Sequence, residues 1–153
     1  MGISFYKPSI VRLQASRQGD KTVLSDVYFT SPYKIMNPFY MNGDYMTIMC
    51  MSSASGIMAN DRLEFSFDVK ENASLEFISQ SYEKIHKMEE GEAIRNMEAH
   101  IAKNATFYYN PLPTQPFQDS AFESVCNVYL EDHSSRFYMK EILTAGHYLP
   151  STS

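Results

Sequence analysis

The sequence predicts one mostly β domain that contains a single short helical segment. The chain has 153 residues, which is enough for one domain with a packed core. It carries 10 Phe and 11 Tyr but no Trp, and these aromatic residues favour strands. Its 6 Gly and 7 Pro fall mainly between the apolar stretches, where they are expected to form turns.

The clearest predicted strand covers residues 63–69, where apolar and polar side chains alternate strictly. Residues 70–72 break the pattern, residues 73–79 resume it, and Asn72 suits a left-handed turn, so a hairpin is predicted. Residues 104–109 echo this second strand 32 positions later, again after a strand-like stretch, so two similar hairpins are predicted. Two copies are too few for a solenoid, which needs about three.

Four other segments, rich in β-branched or aromatic residues, are predicted strands: 22–29, 45–51, 125–130 and 137–143. Residues 80–94 are the helical candidate, because they are rich in Glu, Lys, Met and Ala, although Gly91 interrupts them. Residues 110–117 are predicted to be a loop, since their prolines lack the donor that a strand needs.

Composition and charge exclude several classes of function. The net charge is −5 with a pI near 5.3, and no cluster of Lys and Arg matches a row of phosphates, so nucleic acid is excluded as a partner. No apolar run reaches the roughly 18 residues of a membrane span. The first residues lack the apolar core of a signal peptide, so a cytoplasmic location is predicted. Cys50 and Cys126 are isolated, and we interpret both as small buried side chains.

No assembled active site is visible in the sequence. Ser81 and Lys84 match the SxxK pattern of serine acyl enzymes, but the companion motifs of those enzymes are absent, and Ser81 could simply cap a surface helix. The histidines, His86 among them, occur singly, with no spacing that gathers metal ligands. These absences favour a binding protein over an enzyme.

Four segments resemble the urease accessory proteins called UreD or UreH, in the same order and with similar spacing. They are residues 31–40 (SPYKIMNPFY), 53–62 (SASGIMANDR), 79–86 (SQSYEKIH) and 111–117 (PLPTQPF). The resemblance runs from about residue 23 to residue 146.

The resemblance implies a stacked-strand, β-helix-like domain and a chaperone without enzymatic activity. Such a protein is expected to bind UreF, through it UreG, and the urease apoprotein, and to pass nickel through an internal tunnel. No tightly bound cofactor is expected, because nickel in transit needs groups that bind weakly and exchange. Two alternatives stay open: a serine acyl enzyme using Ser81 and Lys84, or a generic structural β domain.

One residue matches a family position directly. Asp61 stands where the family usually has the Asp of a Gly-Asp pair, with Asn60 in place of the Gly, so Asp61 either lines the tunnel or caps a turn. Polar residues in or beside the matched segments are further candidates for the tunnel or a partner surface: Glu64, Ser79, Ser81, Lys84 and His86. Family members continue with a further β region after residue 146, so the single domain of residues 1–153 is expected to be incomplete at its C-terminus.

Overall fold

The computed structural model describes residues 7–41 and 45–144. These residues form twelve strands: β1 (Ser9–Gln18), β2 (Lys21–Phe29), β3 (Tyr33–Ile35), β4 (Met46–Ser52), β5 (Arg62–Val69), β6 (Ser74–Ser79), β7 (Glu83–Ile85), β8 (Ala93–Ile101), β9 (Thr106–Tyr109), β10 (Thr114–Pro116), β11 (Phe122–Leu130) and β12 (Arg136–Met139). No helix capable of crossing a membrane occurs within these two ranges.

The strands stack into three sheets that share one core. The first has the order β11-β8-β5-β1-β2, the second β12-β9-β6-β4-β3, and the small third sheet pairs β10 with β7. Pairing along the stack is parallel, whereas β2 and β3 add antiparallel at one end. The chain therefore winds through the three sheets in successive coils. This confirms the predicted mostly β, stacked-strand fold, which we call the solenoid.

The 32-residue echo is the length of one coil. Phe65 lies beside Met97 in the first sheet, and Leu75 lies beside Phe107 in the second, each pair 32 positions apart. The echo therefore joins neighbours in the same sheet rather than two separate hairpins. A third coil with a different spacing follows, through β11 and β12.

The two predicted hairpins are wrong, because β5 and β6 belong to different sheets, as do β8 and β9. Asn72 (φ 65°) and Asn104 (φ 58°) adopt the predicted left-handed conformation, but each turns the chain from one sheet to the other. In the third coil this turn is built differently: the Ser134 N–H donates to Asp132 Oδ1 at 2.8 Å. Local sequence cannot separate a hairpin from such a corner, because both need a left-handed turn between alternating strands.

Aromatic rings fill the core between the first two sheets. Phe67 is fully buried, with its ring centroid 4.7 Å from Phe107 and 5.0 Å from Phe77. Phe65 and Tyr109 lie slightly further away, at 6.4 and 6.1 Å from Phe67. Such edge-to-face and offset pairs add to the free energy gained by burying the rings.

The predicted helix over residues 80–94 is wrong. This segment contains β7, an irregular connection and the first two residues of β8. Gly91 has a φ of +80°, which an α-helix does not contain. Ile85 instead forms a parallel bridge with Ile57 of the preceding coil. Pairing between coils thus overrides a weak local preference for helix.

Part of the predicted loop over residues 110–117 is strand β10. The Phe117 N–H donates to the Ile85 carbonyl of β7 at 2.8 Å. The Thr114 N–H donates to the Ile142 carbonyl at 2.8 Å, on the opposite edge of β10. Pro116 follows Thr114 by two residues, so its missing N–H lies on the edge that faces away from β7. A proline is tolerated there because the pairing with β7 does not use its nitrogen.

The other strand predictions are mostly confirmed. Residues 63–69, 22–29, 45–51 and 125–130 correspond to β5, β2, β4 and β11, with shifts of a few residues at the ends. The predicted strand 137–143 is too long, because β12 ends at Met139 and Leu143 forms only an isolated bridge with Thr114. Strands β1 and β3 were not predicted.

Candidate functional site

The third side of the solenoid is a narrow wall built from short pieces of successive coils. Ile57 pairs with Ile85 of β7, and Thr114 of β10 pairs with Leu143. Backbone hydrogen bonds connect the pieces: the Ile57 N–H donates to Lys84 O at 2.7 Å, and the Thr114 N–H donates to Ile142 O at 2.8 Å. We call these connected pieces the third wall.

A cavity of about 300 Å³ lies between the third wall and the inner faces of the two larger sheets. Each of four successive coils contributes to its lining, through Ile57, Glu83, Thr114 and Ile142. The cavity therefore extends along the direction in which the coils stack. Its lining combines aromatic side chains such as Phe65 with many polar ones, among which serine is the commonest.

An ion pair lies in the lining of this cavity, between the side chains of Arg95 and Glu83, which are 8% and 24% exposed. Arg95 Nη1 donates to Glu83 Oε1 at 2.7 Å, and the Arg95 residue is only 7% exposed. The guanidinium carbon of Arg95 lies 5.2 Å from the ring centroid of Phe122 and 5.8 Å from that of Phe65. The Thr114 hydroxyl is a weaker second donor to the same Glu83 oxygen, at 3.4 Å. Arg95 thus has both a charge partner and aromatic neighbours, and these contacts offset the cost of burying its charge.

Burial shifts the pKa values of the polar groups near this pair. Burial, reinforced by the charge of Glu83, raises the pKa of Cys50 to about 12. Burial also raises the pKa of Tyr109 to about 12, and that of Tyr33 well above its ordinary value. For Arg95, burial favours a lower pKa, but interactions with Tyr109 and Glu83 outweigh it and raise the pKa. At neutral pH the thiol and both phenols keep their protons, and Arg95 keeps its charge.

Asp61 both caps a turn and lines the cavity. Asp61 Oδ2 accepts a hydrogen bond from the Met58 N–H at 2.9 Å, and Asn60 has a φ of 70°. Asn60 therefore adopts the left-handed conformation that a glycine would take. Asp61 is also part of the cavity lining, so the two interpretations of this residue do not exclude each other.

Three of the other predicted residues line the cavity: Ser79, Ser81 and Lys84. Ser79 Oγ accepts from the Leu112 N–H at 2.8 Å and donates to the Ser81 carbonyl at 3.3 Å. Ser79 therefore ties the chain after β6 to the start of the next coil, in addition to presenting its oxygen to the cavity.

The remaining two predicted residues, Glu64 and His86, lie outside the cavity lining. Glu64 is exposed on the outer face of the first sheet, beside Asn96. His86 Nε2 lies 3.4 Å from Ser55 Oγ and 3.2 Å from the Ser55 carbonyl oxygen. Gly56 allows this approach, because its φ is +153° and a Cβ there would lie 2.7 Å from His86 Nε2. Glu64 and His86 stay candidates for a partner surface only.

The positions of Ser81 and Lys84 do not support the hypothesis that this chain is a serine acyl enzyme. Ser81 lies in a bend and Lys84 in β7, so Ser81 caps no helix. Within the described ranges, no hydrogen bond connects their two side chains. A nucleophilic serine needs such a contact with its base.

No group of three or more His, Cys, Asp or Glu side chains is gathered into a metal site in residues 7–41 and 45–144. The three carboxylates of the cavity lining, Asp61, Glu83 and Glu141, are therefore not gathered around one point.

The sequence predictions missed the Arg95–Glu83 pair, although one signal was present. In β8 the inward-facing positions hold Ala93, Arg95, Met97, Ala99 and Ile101. An arginine at a core position of an alternating strand indicates a buried partner. Locating Glu83 as that partner requires the fold, because the two residues belong to different sheets.

Comparison with known proteins identifies similar sequences over most of the chain. A family model described as UreD urease accessory protein matches residues 8–150. A urease accessory protein UreD of Acetivibrio thermocellus is 39% identical over 143 residues, covering 93% of this chain and 54% of the relative. Urease accessory proteins UreH of Helicobacter hepaticus and Helicobacter pylori (strain P12) are 34% and 33% identical over 144 residues. These alignments cover 94% of this chain and 56% and 54% of the relatives. The chain spans about half the length of the curated relatives it matches.

Proposed function

Because this chain belongs to the UreD family of urease accessory proteins, we propose that it acts in the maturation of urease. The observation that carries this proposal is the family match over residues 8–150, together with relatives that are 33–39% identical over most of the chain. The stacked-strand fold agrees with the fold that the sequence resemblance implied.

The proposed role is that of a non-catalytic chaperone in the assembly of the nickel centre. It includes a complex with UreF, UreG and the urease apoprotein in the cytoplasm. Nickel is the cargo of this complex rather than a cofactor of the chain. The scattered geometry of Ser81, Lys84 and the single histidines supports a protein that binds partners and turns over no substrate.

The cavity supports a path for nickel through the interior. It extends along the stacking direction, and its lining includes the oxygen-bearing side chains of Asp61, Ser79 and Glu83. Oxygen ligands offered singly hold a borderline metal weakly, so the ion exchanges instead of being trapped. On this proposal, the isolated chain holds no nickel tightly.

The proposal is tested by loading of nickel into urease. Urease subunits are co-expressed with the other accessory proteins, with or without this chain, and nickel per purified urease is measured by mass spectrometry. We expect nickel content and urease activity to be high with the chain and low without it. Equal nickel loading with and without the chain would show that the chain has no role in maturation.

In the same assay, the Ser81→Ala chain is expected to support maturation to within about twofold of the unchanged chain, because Ser81 contacts no base. A control with Ser124→Ala alters an exposed hydroxyl on β11, outside the cavity lining. Removal of a nucleophile typically costs a hundredfold or more, so a loss on that scale for Ser81→Ala alone would favour the serine acyl enzyme.

A further inference from the structure

The outer face of the second sheet is apolar at its centre. Met36, Met49 and Ile78 lie side by side, because the Met36 N–H donates to the Met49 carbonyl at 3.0 Å and Met49 is in register with Ile78. In the adjoining row Tyr108 is in register with Tyr138, and the two rings stack with their centroids 4.9 Å apart. Met36 and Tyr138 are 37% and 48% exposed, and the other three side chains are partly exposed. We call these five residues the methionine–tyrosine face.

The composition of this face is typical of a protein interface. Methionine side chains adapt their shape to a partner, and tyrosine and methionine are enriched where proteins bind each other. One carboxylate, that of Glu76, lies within the face, and both of its oxygens accept hydrogen bonds from neighbours. The Thr47 hydroxyl donates to Oε1 at 3.0 Å, and the Asn110 amide donates to Oε2 at 3.4 Å. A partner can therefore cover Glu76 without leaving either oxygen unpaired.

Three exposed cations surround the methionine–tyrosine face. Lys34 lies on β3, whereas Arg136 and Lys140 lie two residues before and two residues after Tyr138, on the same side of the chain. In the part of the chain that the structure describes, no carboxylate lies within ion-pair distance of any of these three cations. Their charges are therefore available to a partner.

The outer face of the first sheet has the opposite charge. The outward positions of β5, β8 and β11 hold one arginine, Arg62, and four carboxylates: Glu64, Asp68, Glu98 and Glu123. The net charge of −5 is therefore distributed unevenly, with an acidic outer face on the first sheet and a basic one on the second. Such an arrangement selects the partner and the side on which it docks.

We propose that the methionine–tyrosine face is the docking surface for an acidic protein partner in urease maturation. The partner covers the five side chains with apolar residues and presents carboxylates to Lys34, Arg136 and Lys140. Two copies of this chain docked face to face would bring these cations together, which disfavours a dimer through the same surface. The inference rests on the proposed function, which supplies the assembly with UreF and the urease apoprotein, and it adds where the chain binds and the charge of the surface that it meets.

The first test removes one ring from the face. The affinity of the chain for a mixture of UreF and urease apoprotein is measured by biolayer interferometry. Tyr138→Ala is expected to weaken this affinity by about tenfold or more, as is usual for a tyrosine near the centre of an interface. Tyr129→Ala is the matched control, because Tyr129 lies on β11, is 51% exposed and stacks on His100 at 4.6 Å. We expect the control to change the affinity by less than about twofold.

The second test reverses the surrounding charge. The double variant Arg136→Glu/Lys140→Glu is expected to weaken binding by about tenfold or more. Added salt should weaken binding of the unchanged chain more than binding of this variant, because salt screens exposed charges. Arg12→Glu, at an exposed arginine on the outer face of the first sheet, is the matched control and is expected to leave the affinity unchanged.

Circular dichroism shows whether each variant is folded. All the substituted side chains are exposed, so the fold is expected to persist. If Tyr138→Ala does not fold, the charge-reversed variant carries the test.

The outcomes separate this inference from the proposed function. If the complex forms but neither Tyr138→Ala nor the charge-reversed variant weakens it, the inference is wrong and the proposed function stands. Equal losses in Tyr129→Ala or Arg12→Glu would also overturn the inference, and so would a dimer of the unchanged chain that Tyr138→Ala dissociates. If the unchanged chain binds neither UreF nor urease apoprotein, both the proposed function and this inference are wrong.

Discussion

Replacing Phe67 by alanine is expected to lower the free energy of unfolding by roughly 3–5 kcal/mol. Phe67 is fully buried, and four other aromatic rings surround it, the nearest being Phe107 at 4.7 Å. Its removal leaves a cavity that the two sheets cannot close, because parallel strands on both sides fix their separation. Urea titration followed by circular dichroism measures the change.

Phe29→Ala is the matched control for this prediction. Phe29 is 38% exposed on the edge strand β2, so its loss is expected to cost only about 1 kcal/mol. Equal costs for the two substitutions would mean that the core does not lie between the first two sheets as described.

Removing Arg95 from its ion pair with Glu83 is expected to lower the free energy of unfolding about as much as Phe67→Ala does. Arg95→Met leaves Glu83 as an unpaired carboxylate and should destabilise the chain by about 3–5 kcal/mol. Arg95→Met/Glu83→Gln removes both charges and should recover most of that loss, to within about 1.5 kcal/mol of the unchanged chain. Urea titrations of four proteins form a double-mutant cycle: the unchanged chain, Arg95→Met, Glu83→Gln and the double variant.

An exposed ion pair provides the comparison. Lys70 Nζ lies 2.9 Å from Asp68 Oδ2, but both side chains are substantially exposed. Lys70→Met is therefore expected to cost less than about 1 kcal/mol. If Arg95→Met costs no more than Lys70→Met, then the Arg95–Glu83 pair is hydrated and is not the buried pair described above.

The strands could be predicted where their pattern is local. The alternation from Leu63 to Val69 depends only on neighbouring residues, and β5 follows it closely. The alternation of Val11, Leu13 and Ala15 in β1 was equally available, and these three side chains are buried as it implies.

The connections could not be predicted, because they depend on residues about thirty positions apart. Strand β7 has three residues and is a strand only because β10 and Ile57 pair with it. The composition of residues 80–94 favoured a helix instead of this strand. Similarly, the turn at Asn72 was predicted correctly, but not the sheet to which it leads.

The sequence led to some of the residues that line the cavity, but not to all of them. The resemblance led to Asp61, Ser79, Ser81 and Lys84, and all four line the cavity. It did not lead to Arg95, which lies outside the four matched segments, although its partner Glu83 lies within one of them. The resemblance could supply candidates, whereas the contact between Arg95 and Glu83 could be recognised only from the fold.

Co-purification with urease apoprotein and UreF tests the central claim most directly. The chain, urease apoprotein and UreF are combined, and size-exclusion chromatography separates complexes from free proteins. We expect the chain to elute together with both partners, and Ser81→Ala to behave in the same way. A folded chain that elutes alone at every concentration tested, while UreF and the urease apoprotein elute as they do without it, would contradict the proposed role in urease maturation.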